Sequence, residues 1–129
     1  MTYHVADFII RIQNAALARR KEVRMPYSKL SRAIAQVLVK EGFLAGVKDE
    51  EIEGKKQLVA EIRFVNRRPA VDGVKVISKP SLRVYKTKKS LNERLNPSVV
   101  SILSTSNGVM SGKTATKKGL GGELLFQIW

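Results

Sequence analysis

At 129 residues, 43% of them hydrophobic, the chain has room for one modest domain or two small ones, and no apolar run approaches the roughly 20 residues that span a bilayer. Twenty-four Lys and Arg against eleven Asp and Glu leave a formal net charge of +13, a self-repelling excess that implies a polyanionic partner, nucleic acid first. The absence of cysteine excludes a disulfide framework, a thiolate nucleophile and a cysteine metal site.

The basic residues lie outside any single amphipathic helix with a Trp or Phe face, so a membrane partner is not expected. The N-terminus lacks the basic-then-apolar arrangement of a secretory signal, which makes an intracellular, reducing location the expectation. Placement of the charge is uneven. Residues 1–40 hold eight bases and two acids, 41–61 three bases and six acids, and 62–122 thirteen bases against Asp72 and Glu93 alone. A solvated surface normally mixes its signs, so one half is expected to meet the polyanion while an acidic loop, Asp49-Glu50-Glu51-Ile52-Glu53, points elsewhere.

Val5, Phe8, Ile9, Ile12 and Ala16 recur at helical spacing and predict an amphipathic helix over roughly the first twenty residues, with Asp7, Arg11, Asn14 and Ala18 on its other face. Glu22-Val23-Arg24-Met25 alternates as a short strand and stops at Pro26. Ser28 is the N-cap of a second helix, whose apolar seam is Leu30, Ala33, Ile34, Val37 and Leu38 and whose stop signal is Gly42. Opposite that seam Lys29, Arg32, Gln36 and Lys40 form a positive stripe, which on its own is explained by solvation of the helix. Phe43–Lys48 and Gln57–Phe64 read as strands joined by the acidic loop with Gly54, and Leu58, Ala60, Ile62 and Phe64 share one face of the second. The first half is thus helix-strand-helix-strand-strand, with both helices on one side of a small sheet.

Asn66-Arg67-Arg68-Pro69 interrupts the pattern and sets a boundary between an N-terminal α+β domain, 1–65, and a C-terminal β-rich domain, 66–129. Halves of that size are marginal alone and are expected to dock against each other. In the second half Val74–Ser78 and Leu82–Thr87 are short strands around Pro80, Lys88–Leu95 is a brief helix ended by Pro97, and Val99–Thr105 is a buried strand. Ser111–Lys118 reads as a helical turn ending at Gly119, and Leu124–Trp129 as a terminal strand reached through Gly121-Gly122-Glu123. The fold class is α+β, two small domains, the second strand-rich with short helices.

Enzymatic sites lack parts. Gly112-Lys113-Thr114 matches the end of a phosphate-binding P-loop, but only Val109, Met110 and Ser111 separate it from Gly108, one residue too few to cradle a triphosphate. His4 is the only imidazole and has no metal-binding company, so it reads as a surface side chain. Glu123 has no second carboxylate or His near it in sequence. Neither a catalytic centre nor a cofactor or metal is expected.

Binding chemistry is complete. Ser104-Thr105-Ser106-Asn107-Gly108 offers three hydroxyls, a carboxamide and a glycine, uncharged, after the apolar run Val99–Leu103. Alone, such a stretch is also an ordinary strand-ending turn whose side chains satisfy their own backbone. Its place in the most basic half, beside Tyr85 with Arg83 and Lys86, near Lys113 and Lys117, and before Glu123, favours an RNA contact. Cations neutralise phosphates, Tyr85 stacks on a base or ribose, and small hydroxyls reach base edges and 2′-hydroxyls. No helix-turn-helix recognition helix is evident.

Ser104-Thr105-Ser106-Asn107-Gly108-Val109-Met110, followed by Gly119-Leu120-Gly121-Gly122-Glu123, resembles the signature of the eighth small-subunit ribosomal protein, bacterial or organellar type. The resemblance extends through Arg11-Ile12-Gln13-Asn14-Ala15, Pro26 with Ser28-Lys29, Glu41-Gly42-Phe43, Ser78-Lys79-Pro80, Leu82-Arg83-Val84-Tyr85 and the closing Trp129. It implies a structural constituent of the small ribosomal subunit that binds the central domain of small-subunit ribosomal RNA and supports platform assembly. By the same resemblance Ser104, Thr105, Ser106 and Gly108 enter an irregular RNA helix with Tyr85 and Glu123 flanking. Arg11, Asn14, Ser28 and Lys29 give a second grip, and the protein neighbours are the fifth and twelfth small-subunit proteins. A cytoplasmic ribosome is implied, with an organellar one as the alternative. A repressor that binds a mimic of the site in its own messenger RNA is the alternative function. Ser81, Ser111, Thr116 and Asn96-Pro97-Ser98 depart from the family's usual pattern, beside the hydroxyl stretch rather than within it.

Overall fold

In the computed structural model, which describes residues 2–78, 84–87 and 98–129, helix α1 (Thr2–Leu17) buries Val5, Phe8, Ile9, Ile12, Ala15 and Ala16, the expected stripe with one residue added. It closes with Arg20 N–H donating to the Ala15 carbonyl (2.9 Å) and Arg19 N–H to that of Ala16 (3.1 Å), Arg19 lying in the left-handed region at φ +56°. Strand β1 (Glu22–Pro26) follows, then α2 (Lys29–Lys40), whose first turn is capped by Ser28 Oγ accepting from Ser31 N–H at 3.0 Å. The buried face of α2 is Ser31, Ile34, Ala35 and Leu38, with Leu30 and Val37 half-buried, so the seam lies slightly round from the predicted one.

Strands β2 (Leu44–Ile52) and β3 (Lys55–Ile62) form a hairpin, and β3 is the centre of an antiparallel sheet ordered β1-β3-β2. The expected acidic loop is corrected here. Asp49 to Ile52 are strand residues, and only Glu53 and Gly54, both at positive φ, make the turn. Two of these acids are paired with cations. Asp49 pairs with Arg32 at 3.0 Å and Lys56 at 3.7 Å, and Glu50 with Arg24 and, at 3.6 Å, with Lys48. The hydrogen bond from Arg24, ahead of its Coulombic attraction, holds the Glu50 carboxyl below the usual carboxylate range.

Residues 66–69 are likewise more ordered than a linker. Strands β4 (Phe64–Val65) and β5 (Arg68–Pro69) pair across Asn66 and Arg67, both at positive φ. The second large sheet comprises β6 (Val74–Val76), β7 (Tyr85–Lys86), β8 (Val100–Thr105), β9 (Gly108–Ser111) and β10 (Gly122–Ile128), ordered β6-β10-β8-β9 with β7 also on β10. Strand β9 was not foreseen, and Gly122 and Glu123 belong to β10 rather than to an approach to it. Helix α3 (Gly112–Lys118) is capped by Ser111 Oγ, which accepts from Thr114 N–H at 3.2 Å, and ends at left-handed Gly119, as expected. The helix predicted over Lys88–Leu95, the residues around Pro80, Arg83 and the side chain of His4 lie outside the described residues.

Strand β10 carries a bulge. Glu123 pairs with Ser104 and Leu124 with Leu103, then Phe126 rather than Leu125 pairs with Ile102. The Leu125 carbonyl accepts from Ile77 N–H (3.1 Å) and Ser78 N–H (3.3 Å), which fastens the bulge to the chain after β6. Val71, Ile102, Leu125, Phe126 and Ile128 join the α1 and α2 stripes and Leu58, Ala60 and Ile62 in one buried cluster, so the halves share a core. Leu103, Met110, Ala115 and Leu124 form a second cluster on the opposite face of the second sheet, under α3.

Candidate nucleic-acid interface

The hydroxyl-rich stretch is the tip of the β8–β9 hairpin. Ser104 and Thr105 are strand residues, Ser106 and Asn107 are the two-residue turn, and Gly108 opens β9 opposite Thr105. Thr105 Oγ1 faces inward chemically, donating to the Gly108 carbonyl (2.8 Å) and accepting from Asn107 N–H (3.2 Å). One of the three hydroxyls is thereby spent on the turn, as the ordinary reading of such stretches anticipates. Ser106 and Asn107 are exposed, and their side chains make no hydrogen bond among the described residues. Gly108 sits at φ +107° with open space where a Cβ would be, so backbone conformation rather than crowding requires glycine there.

Cross-strand register assembles the other groups. Tyr85, Glu123 and Ser104 lie directly opposite one another across β7, β10 and β8, and Ser104 continues the row to Val109 on β9. Directly paired residues project from the same face of a sheet. This row is on the face of Ile102 and Phe126, at the point where the shared core gives way to polar groups. Tyr85 is 66% exposed, which leaves its ring open for stacking. Lys86, the next residue, pairs with Gly122 and so turns to the α3 side of the sheet, where Lys113 and Lys117 are exposed one helical turn apart. The hairpin tip is therefore flanked by Tyr85 and Glu123 on one side and by lysines on the other.

Two supports were hidden in the sequence. A Cβ on Gly122 would fall 2.3 Å from the Ser104 carbonyl oxygen, so the close approach of β10 to the base of the hairpin depends on that glycine. The double glycine before Glu123 was the available signal. Buried Ser78 donates from Oγ to the Leu124 carbonyl (2.6 Å) and accepts from Val84 N–H (3.0 Å), which fixes the residue leading into Tyr85.

The N-terminal candidates stand apart from this row. Arg11 donates to Asp7 at 3.0 Å and lines, with Arg20, Glu22, Val23 and Arg24, an open cleft of about 430 Å³. Asn14 is exposed on the same helix, Ser28 is engaged as the cap of α2, and Lys29 is exposed beside it. Arg83 lies outside the described residues. Among the described residues no three His, Asp or Glu converge to hold a metal ion, and no helix is long and apolar enough to cross a membrane.

The described residues form an α+β protein with two antiparallel sheets on a shared core and a polar hairpin tip projecting from its basic half. Such an arrangement suits binding. The chain belongs to the ribosomal protein S8 family, whose model matches residues 4–129. It is 45% identical over 130 residues to the small ribosomal subunit protein uS8 of Pseudarthrobacter chlorophenolicus, covering 100% of this chain and 98% of the relative. Identity is also 45% with the protein of that name from Streptomyces griseus, over the same shares. With that of Trichormus variabilis it is 40% over 127 residues, 97% of this chain and 96% of the relative. Membership makes the chain a ribosomal protein, and the family is one of structural ribosomal proteins, not of enzymes.

Proposed function

We propose that this protein is a constituent of the small ribosomal subunit that binds the central domain of small-subunit ribosomal RNA through the β8–β9 hairpin and supports assembly of the platform. The carrying observation is the row Tyr85–Glu123–Ser104, which ends beside a turn whose Ser106 and Asn107 side chains have no partner among the described residues. Uncharged donors and acceptors on a rigid hairpin read the 2′-hydroxyls and base edges of folded RNA, while Lys86, Lys113 and Lys117 supply charge toward phosphates. Arg11, Asn14, Ser28 and Lys29 form a second grip, Ser28 through its backbone because its hydroxyl caps α2. The division at 65/66 separates a supporting domain, 1–65, from the RNA-reading domain, 66–129.

The fifth and twelfth small-subunit proteins are the proposed neighbours, on a cytoplasmic ribosome. A hairpin that reads RNA shape would also accept a mimic of its helix in the messenger RNA encoding the protein. Footprinting of the purified protein on small-subunit ribosomal RNA tests the reading. Protection confined to a helix of the central domain is expected, and protection spread evenly over the RNA, or its absence, would overturn it.

A further inference from the structure

The small β4–β5 hairpin stands outside both large sheets, and residues 63–68 are all exposed, Phe64 at 36% and Val65 at 45%. A two-strand ladder of this size is marginal in water and needs external support. Arg19 at the end of α1 ties it to the fold, donating from Nη1 to the Arg67 carbonyl at 2.7 Å, and within the hairpin Ala70 N–H extends the ladder by donating to the Arg63 carbonyl at 2.8 Å.

Two positions here would be cheaper as glycine. Arg19 closes α1 at φ +56°, and Arg67 is the second turn residue at φ +67°, the position where a turn of this type favours glycine. A side chain at left-handed φ costs on the order of 1 kcal/mol or more. Both sites hold arginine, and the two arginines are hydrogen-bonded to each other. Strain kept at an exposed position points to a use for the side chains.

Segments 17–21 and 63–70 together carry Arg19, Arg20, Lys21, Arg63, Arg67 and Arg68 and no acid. Arg20 continues this surface into the cleft with Arg11 and Arg24. On the hairpin, register puts Phe64 with Pro69 on one face and Val65 with Arg68 on the other. We infer that the β4–β5 hairpin, with Arg19 and Arg20 beneath it, is a separate RNA-binding element that neutralises phosphates while Phe64 stacks on an unpaired base. It lies remote in sequence from the β8–β9 hairpin and rests on the reading of the protein as an RNA binder. Charge complementarity selects RNA over a protein partner, since guanidinium groups bind phosphate bidentately and stack on bases. Two exposed apolar side chains are too small a patch for a stable protein interface.

Substitution of Arg67 by glycine separates the functional role from a structural one, because glycine relieves the strain at φ +67° and keeps the carbonyl that Arg19 holds. The variant Arg67→Gly should unfold at or above the wild-type temperature. On whole small-subunit ribosomal RNA it should bind more weakly, with a salt slope smaller by about 0.9, as expected for one lost phosphate contact. On a short RNA holding only the helix protected by the β8–β9 hairpin, its affinity should stay at the wild-type value. Ser106→Ala should weaken binding to both RNAs. Wild-type affinity and slope of the glycine variant on whole ribosomal RNA would overturn the inference, whereas an unaffected Ser106→Ala would overturn the hairpin reading instead. A benzophenone amino acid at Phe64 in assembled subunits should cross-link to RNA, and a cross-link to protein alone would also overturn the inference.

Discussion

Around the first sheet the ion pairs of the described residues cluster between residues 7 and 56, linking Asp7 with Arg11, Glu22 and Glu50 with Arg24, Asp49 with Arg32 and Lys56, and Glu50 with Lys48. In the half built on the second sheet Lys75, Lys86, Lys113, Lys117 and Lys118 make no ion pair among the described residues. Sharing a core, the two sheets bind their charges differently. Around the first sheet Arg11, Arg24, Arg32, Lys48 and Lys56 are paired within the fold, whereas those lysines of the second have no carboxylate partner among the described residues, the distribution expected of a surface that meets a polyanion.

The largest test of this comparison is whether the halves can be separated at all. Phe126 is fully buried in the cluster that joins them, so Phe126→Ala should cost about 3 to 5 kcal/mol. Urea unfolding should remain a single transition at a lower midpoint; two transitions, with the first sheet unaffected, would show that the core is not shared energetically. Gly122→Ala comes next. A methyl group 2.3 Å from the Ser104 carbonyl oxygen forces β10 away from β8, with an expected loss of about 1 to 3 kcal/mol in stability. Specific RNA binding should fall with it, as measured by calorimetry and filter binding.

Smaller effects separate specificity from affinity in the second half. Ser106→Ala should weaken specific RNA binding by at most about 3 kcal/mol without changing the salt slope, because hydrogen bonds and no charge are lost. Lys113→Ala and Lys117→Ala should each lower the slope by up to about 0.9 and weaken specific and random RNA alike. Equal loss on random RNA for Ser106→Ala would break the assignment of specificity to the turn.

The smallest effect belongs to the first sheet. Because Arg24 depresses the Glu50 carboxyl, the contribution of the pair is present above the ordinary glutamate range and is lost as pH falls through the depressed value. Glu50→Gln should therefore lower the unfolding temperature slightly at neutral pH and not at all once Glu50 is protonated in both the folded and unfolded states, with salt reducing the difference.

Features set by neighbours in sequence were legible. The Ser28 cap, the apolar stripe of α1 and the Gly119 stop follow from spacing and side-chain chemistry within a turn of helix. Features set across the fold were not. Asp49 and Glu50 read as loop because Arg32 and Arg24, with which they pair, come from other elements. Strand β9 was hidden by a glycine and a turn that are both part of the hairpin. At the candidate site the residue types were readable, but the opposition of Tyr85, Glu123 and Ser104 arises only when three strands distant in sequence meet. The Asn66-Arg67 turn looked like a linker because two-residue strands leave no period to detect.

The bulge at Leu125 works like a single-letter frame shift within β10. In an uninterrupted strand Glu123 and Phe126, three residues apart, would point to opposite faces; the extra residue lets both project from the face of Ser104 and Ile102. Deleting Leu125 would leave a regular pleat in which Glu123 still faces Ser104 and Phe126 still faces Ile102, but it would remove the anchor for Ile77 and Ser78 N–H and a side chain of the shared core. The extra residue therefore fastens the chain after β6 and adds a core side chain while the polar row and the core stay on one face of the sheet.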